Sequence, residues 1–402
     1  MTVGVPLLLL AVGFNPGWPA EDPDRPASDL ADPALQPDDP GYAPWTRGGP
    51  CTGQRPWYGF APPCLPGLGA AVGAAIDRAW LLETGRPGVT LAVLGDGVDL
   101  TDPDVAPQVR LNAGELPGGL PDRDGDGIPT VRDLTSATAT DALGLDRVVD
   151  PRLLARSDRG DANGNGRLDP DDLLRIFADG RDDDGNGLAD DLAGWDLRDG
   201  DPDPAPSDAD ALAGRATDVA RAAAARANDG VGVAGACPGC TLLPIRVGAR
   251  GRALPEAVAT GLRYADHRGA AVVAVVTATP GPTASLERAV RALGAAGRVV
   301  VVGAGFAEGP TAVDALPLRD AVAGVDPAAG ALVVAARGLD DAPEAAPRSD
   351  APLACARQPP DPDVALPGVR CDRPRDAGVV AGVVGLVVSA AERAGAPLAP
   401  GE

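Results

Sequence analysis

Three stretches of the chain space oxygen-bearing side chains as a hard cation requires. Residues 161–172 read DANGNGRLDPDD, with side-chain oxygens at loop positions one, three and five, glycine at six and a carboxylate at twelve. That spacing wraps roughly six to eight oxygens round Ca²⁺, and the glycine permits the sharp turn. Asp161, Asn163, Asn165 and Asp172 are the side-chain ligands it predicts, with Arg167 offering its carbonyl and Asp169 acting through water. Residues 122–133, DRDGDGIPTVRD, repeat the pattern with Asp122, Asp124, Asp126 and Asp133. Residues 182–191, DDDGNGLADD, are a looser version with Asp182, Asp184 and Asn186. A single loop of this kind is as well explained by a solvated acidic turn. Three within about 70 residues point to bound calcium.

Other chemistries are limited by what the chain lacks. All 35 basic residues are arginine, so no Ser-Lys nucleophile pair exists. The one histidine, His267, lies in RYADHRG, where it reads as the last residue of a helix, favoured there by the helix dipole, rather than as a base. A formal charge of −22 argues against nucleic acid as a partner, because phosphate binding needs clustered basic residues. Six cysteines form three local couples, Cys51 with Cys64, Cys237 with Cys240 and Cys355 with Cys371, as disulfides of an oxidising compartment do. Only CPGC has the ligand spacing of zinc, and no second pair or histidine completes it.

The elements that position these residues follow from hydrophobic patterning. The apolar opening MTVGVPLLLLAVGF is too short to span a bilayer, and no other segment is long and apolar enough for a membrane helix. Residues 1–20 suit a cleaved export signal, ending near Ala11, Gly13 or Ala20, although the positive flank of such signals is missing. The expected location is therefore secreted, periplasmic or cell-surface. Residues 21–75 are rich in proline and glycine and read as an extended N-terminal segment. From about residue 76, strands such as GVTLAVLG, TLLPIRV and RVVVVGAG alternate with helices such as AAVGAAIDRAWLLETG and LPEAVATGLRYADHRG. Near-continuous Val/Ala/Leu runs in alternation with helices predict an α/β, three-layer domain with a mainly parallel sheet over 76–400. The acidic stretch 117–210 interrupts it as a loop-rich insertion.

Four flanking motifs resemble those of the subtilisin-like serine proteases (the S8 family), over roughly 76–390. LAVLGDGVDLTDPDV resembles the family's first motif, an apolar strand followed by Asp-Thr/Ser-Gly, and DDDGNGLADDLAGWDL resembles a stretch found downstream of it. GRATDVAR followed by NDGVGVAGACPG is similar to the histidine motif and its flank, and DVALPG and VAGVVGL bracket the place of the serine motif. The resemblance implies a subtilisin-like fold and a serine endopeptidase ancestry.

In this alignment every reactive position is replaced. Gly95 stands at the catalytic aspartate, Arg215 at the histidine, Pro374 at the nucleophilic serine and Phe306 at the oxyanion-hole asparagine. Acyl transfer needs an activated nucleophile, a base, a carboxylate orienting it and preorganised donors. Arginine does not deprotonate in proteins, and proline carries no nucleophile. The expectation is a pseudoprotease that binds an extended peptide or protein, or serves as a structural module. The alternative is a subtilase-family endopeptidase using an unrecognised active site. Arg215 would need a counter-charge, with Asp96 as first choice and Asp218 or Asp376 as alternatives.

Overall fold

The computed structural model describes residues 39, 76–140, 146–155, 160–207, 214–277, 279, 283–303, 331–338, 364–368 and 375–395. Seven strands form one sheet: β1 Thr90–Gly95, β2 Trp195–Asp196, β3 Thr241–Arg246, β4 Val272–Val275, β5 Val299–Gly303, β6 Ala331–Gly338 and β7 Val364–Gly368. Their spatial order is β7-β6-β5-β4-β1-β3-β2, and every neighbouring pair runs parallel. The strands that the apolar runs predict are thus present, and the fold is a subtilisin-like α/β architecture.

β1 is central because both of its faces are apolar. Leu91 and Val93 enter one core, Ala92 and Leu94 the other, and all six residues of the strand are buried. The first core is covered by helices α2 (Arg215–Ala224) and α5 (Arg375–Arg393), the second by α3 (Pro255–His267) and α4 (Ala284–Ala295). This gives three layers. The chain leaves β1 to one side for β2 and β3, then crosses to β4 on the other, so the strand order reverses around β1. Crevices at the carboxyl ends of parallel strands form at such reversals.

α2 and α5 approach each other through small residues. A Cβ built on Gly378 would lie 2.3 Å from the Val219 carbonyl, and one on Gly382 2.5 Å from that of Ala223. α2 contributes Ala216, Ala220, Ala222 and Ala223 to the same contact, all buried. The Cys237–Cys240 disulfide lies beside this helix pair, with Cys240 Sγ 3.1 Å from where a Gly385 Cβ would be.

Among the described residues of the insertion, α1 (Pro170–Phe177) is the one helix of eight residues. The helix expected over AAVGAAIDRAWLLETG is, among the described residues, the four-residue Ile76–Ala79 followed by turns. Trp80 ends it by burying its ring and donating from Nε1 to the Ala236 carbonyl at 2.9 Å, and Gly85 turns the chain at φ 101°. The couples Cys51–Cys64 and Cys355–Cys371 lie outside the described residues, as do Phe306 and Pro374; α5 begins at Arg375.

The tight helix pair generates a test. Gly382→Val should destabilise the fold by about 3 kcal/mol, the upper range for overpacking, because its new atoms meet backbone rather than a movable side chain. Urea denaturation with an unchanged midpoint would show that α2 and α5 do not touch as described.

Candidate functional site

At the carboxyl end of β1 the backbone of Gly95 is closely approached. A Cβ at Gly95 would stand 2.7 Å from Val276 Cγ2 and 3.0 Å from Ala216 Cβ, so no side chain of any kind fits without displacement. Val276 follows β4 and Ala216 is the second residue of α2, so strand, strand end and helix meet at the missing side chain. Arg215 is the first residue of α2, after Gly214 in a left-handed turn at φ 95°.

The neighbouring carboxylates are engaged. Asp96, buried, accepts a hydrogen bond from the Gly251 amide at 2.5 Å. Asp218 takes Arg221 Nη1 at 3.1 Å, and Asp102 takes Arg221 Nη2. Arg221 therefore bridges α2 to the loop after β1. Beyond β4, Thr277 and Thr279 bury hydroxyls with no hydrogen-bond partner among the described residues.

Asp104 was not singled out by sequence spacing. It is 4 % exposed, its Oδ2 accepts from the Val233 amide at 3.0 Å, and its Oδ1 has no hydrogen-bond partner among the described residues. Burial, with Asp102 and Asp229 adding negative charge, pushes its carboxyl up to about 6.

The three acidic loops share one backbone design. The carboxylate at position one folds over the turn: Asp122 accepts from the amides of Gly125 and Gly127, Asp161 from those of Gly164, Asn165 and Gly166, and Asp182 from those of Asn186 and Gly187. The glycine at position six is left-handed each time, Gly127 at φ 80°, Gly166 at 87° and Gly187 at 94°. In the first two loops position nine caps the exit helix and position twelve closes the capping box, as Thr130 with Asp133 and Asp169 with Asp172. Asp133 also accepts from Arg123 N at 2.7 Å, and Asp172 from Ala162 N at 2.6 Å, tying loop entry to exit.

The loops differ in how their acids gather. Asp122, Asp124 and Asp126 lie with carboxylate oxygens within 4.8 Å of one another, and Arg132 ion-pairs with Asp126 at 2.8 Å. In 161–172, the strongest of the three by spacing, the amides of Asn163 and Asn165 donate to Asp169, and no such group of three acids is found there. The third loop gathers Asp182 and Asp184 with Glu115, which sequence spacing missed. Glu115 is buried and accepts from the amides of Asp184 at 3.2 Å and Asp190 at 3.0 Å, and burial raises its carboxyl above the ordinary range. Gly114 lets it come so close, since a Cβ there would be 2.7 Å from that of Asp184. Fully buried Asp191 accepts from Asn112 Nδ2 at 2.7 Å, Asn186 Nδ2 at 3.0 Å and the Tyr264 hydroxyl at 2.7 Å. The donor set is entirely hard oxygen, which fits calcium.

The subtilase family's sequence pattern matches residues 86–392. Subtilisin BL of Lederbergia lenta is 37% identical over 93 residues, 23% of this chain and 34% of that protein, so the chain spans about a third of that relative's length. Fervidolysin from Fervidobacterium pennivorans, a keratinolytic enzyme related to subtilisin, has 19% identity and a TM-score of 0.35 over 65% of this chain and 26% of its own.

Two measurements check the site. If the loops bind calcium, saturating Ca²⁺ stabilises by RT ln(1 + [L]/Kd), about 2.7 kcal/mol per site at a hundredfold excess. EDTA should lower the melting temperature, and Glu115→Gln should remove part of the calcium-dependent rise; equal melting with and without EDTA counts against bound calcium. Asp104 supplies a pH test, made in chelator. Its folded pKa of about 6 exceeds the ordinary 3.8, so its favourable contribution is complete below about pH 4 and is lost as pH rises through 6. Stability should fall across that window by about 2 kcal/mol more in the parent than in Asp104→Asn. Identical slopes would remove Asp104 from the account.

Proposed function

The chain belongs to the subtilase family, and we propose that it is a secreted member that binds an extended peptide or protein segment without cutting it. The observation that carries this is the closure at Gly95. Val276 Cγ2 and Ala216 Cβ stand 2.7 and 3.0 Å from where a Cβ at Gly95 would lie, so a carboxylate side chain there requires a neighbour to shift, which supports a scaffold that no longer uses one. Arg215 at the head of α2 supplies a permanent cation where the mechanism requires a base.

Binding survives this loss more readily than chemistry. Extended peptides attach to a sheet by main-chain hydrogen bonds, which need no nucleophile. Calcium held by the insertion 117–210 would staple the acidic loops, which outside cells is their common use. The Cys237–Cys240 disulfide supports an oxidising compartment, and the organisation proposed remains an export signal at 1–20, an extension at 21–75 and one domain at 76–400. The other reading, an endopeptidase with a displaced active site, needs a base, and His267 closes α3 beside the amino end of β1.

Casein and fluorogenic peptides should remain uncut, and a fluorophosphonate probe should leave the protein unlabelled, while a peptide array returns binders. Turnover that survives repurification and vanishes on substitution of a cleft residue would overturn the proposal. Gly95→Asp should restore no activity and should cost about 1–3 kcal/mol, because the new side chain meets Val276 and Ala216.

A further inference from the structure

The opposite end of the strands holds an open cavity of about 280 Å³, a depression in the surface whose lining includes Arg110, Asn112, Gly114, His267 and Arg268. Arg110 follows the chain segment that bonds to β3, its amide donating to the Leu242 carbonyl at 2.9 Å. Its guanidinium donates from Nη1 to Thr90 Oγ1 at 3.0 Å, at the first residue of β1. Among the described residues it makes no ion pair, in a chain with 57 acids against 35 bases. The charge nearest in effect is another cation: burial and the Arg268 guanidinium hold Arg110 below the usual arginine range.

Arg268 has two carboxylates in ion-pair range but hydrogen-bonds neither: Asp191 and Asp184 stand 3.7 and 4.0 Å from its Nη1. Their oxygens are already taken by the Asn112 and Asn186 amides and the Tyr264 hydroxyl. Two guanidiniums and the sole imidazole thus converge on one cavity with donors to spare. Such forked donors match a carboxylate or a tetrahedral oxyanion.

From this geometry we infer that the cavity is a binding site for a small oxyanion, a carboxylate or phosphate group, held by Arg110 and Arg268 with His267 at its wall. The site is separate from the carboxyl-end crevice and does not depend on how that crevice is used.

The single histidine makes the test local. In the folded full chain the C–H resonances of His267 are unambiguous, and they should shift saturably on titration with succinate, as the carboxylate, or sulfate, as the tetrahedral anion, at millimolar midpoints. Sodium chloride at equal ionic strength should not reproduce the shift. The anion with the lower midpoint identifies the ligand class. Arg110→Gln should raise that midpoint roughly tenfold, whereas Arg263→Gln, on the exposed face of α3, should leave it unchanged. A linear, chloride-like response overturns the inference, and so does an Arg110→Gln protein that binds like the parent. Should that variant fail to fold, the wild-type titration alone still decides.

Discussion

The close approach of α2 to β1 at Gly95 is the constraint on which the rest of the molecule depends. A helix can ride this low over a strand only where side chains are absent or small. Gly95 and Ala216 supply that where α2 meets β1, and Gly378 and Gly382 of α5 supply it where α5 meets α2. The seating of α2 in turn sets where Arg221 reaches, and Arg221 joins Asp102 in the loop after β1 to Asp218 on the helix. At this junction Gly95 meets Val276 and Ala216, and close apolar packing of this kind favours rigidity.

Much of this was legible in the residues. β1, β3 and β5 are apolar on both faces because helices cover both, and that produces the unbroken Val/Leu runs that mark a parallel strand. The conformation of the acidic loops was legible too, since positions one and six obey local geometry that sequence spacing encodes. What spacing does not encode is contribution from a distance. Glu115 lies 67 residues before Asp182, and Tyr264 73 residues after Asp191, so only the folded chain brings them together. The filling of Gly95 was equally hidden, because Val276 belongs to another strand's exit. The helix at Ile76–Ala79 ends short of the expected Gly85 because burial of Trp80 outweighs the helical preference of the residues that follow.

The insertion shows how an acidic segment can be ordered despite its charge. Each position-one aspartate gathers two or three backbone amides, and each exit helix begins with a reciprocal cap. These are partial positive charges recruited from the main chain, and they offset repulsion that free arginines are too few to neutralise. Asp191 extends the same device inward, fixing the third loop to α3 through Tyr264.

β1 and β3 pair residue for residue, yet Thr90 and its partner Thr241 are separated by 151 positions along the chain. The whole of the acidic insertion, 117–210, lies inside that span. A search over so long a tether is slow, since closure entropy precedes any reward from pairing. The turns of the insertion, by contrast, close over contacts ten residues apart or fewer, such as Asp172 on Ala162. They can form first and shorten the effective tether before the central strands meet. The insertion then acts on the rate at which the sheet assembles, and whatever compacts it acts as a folding accelerator.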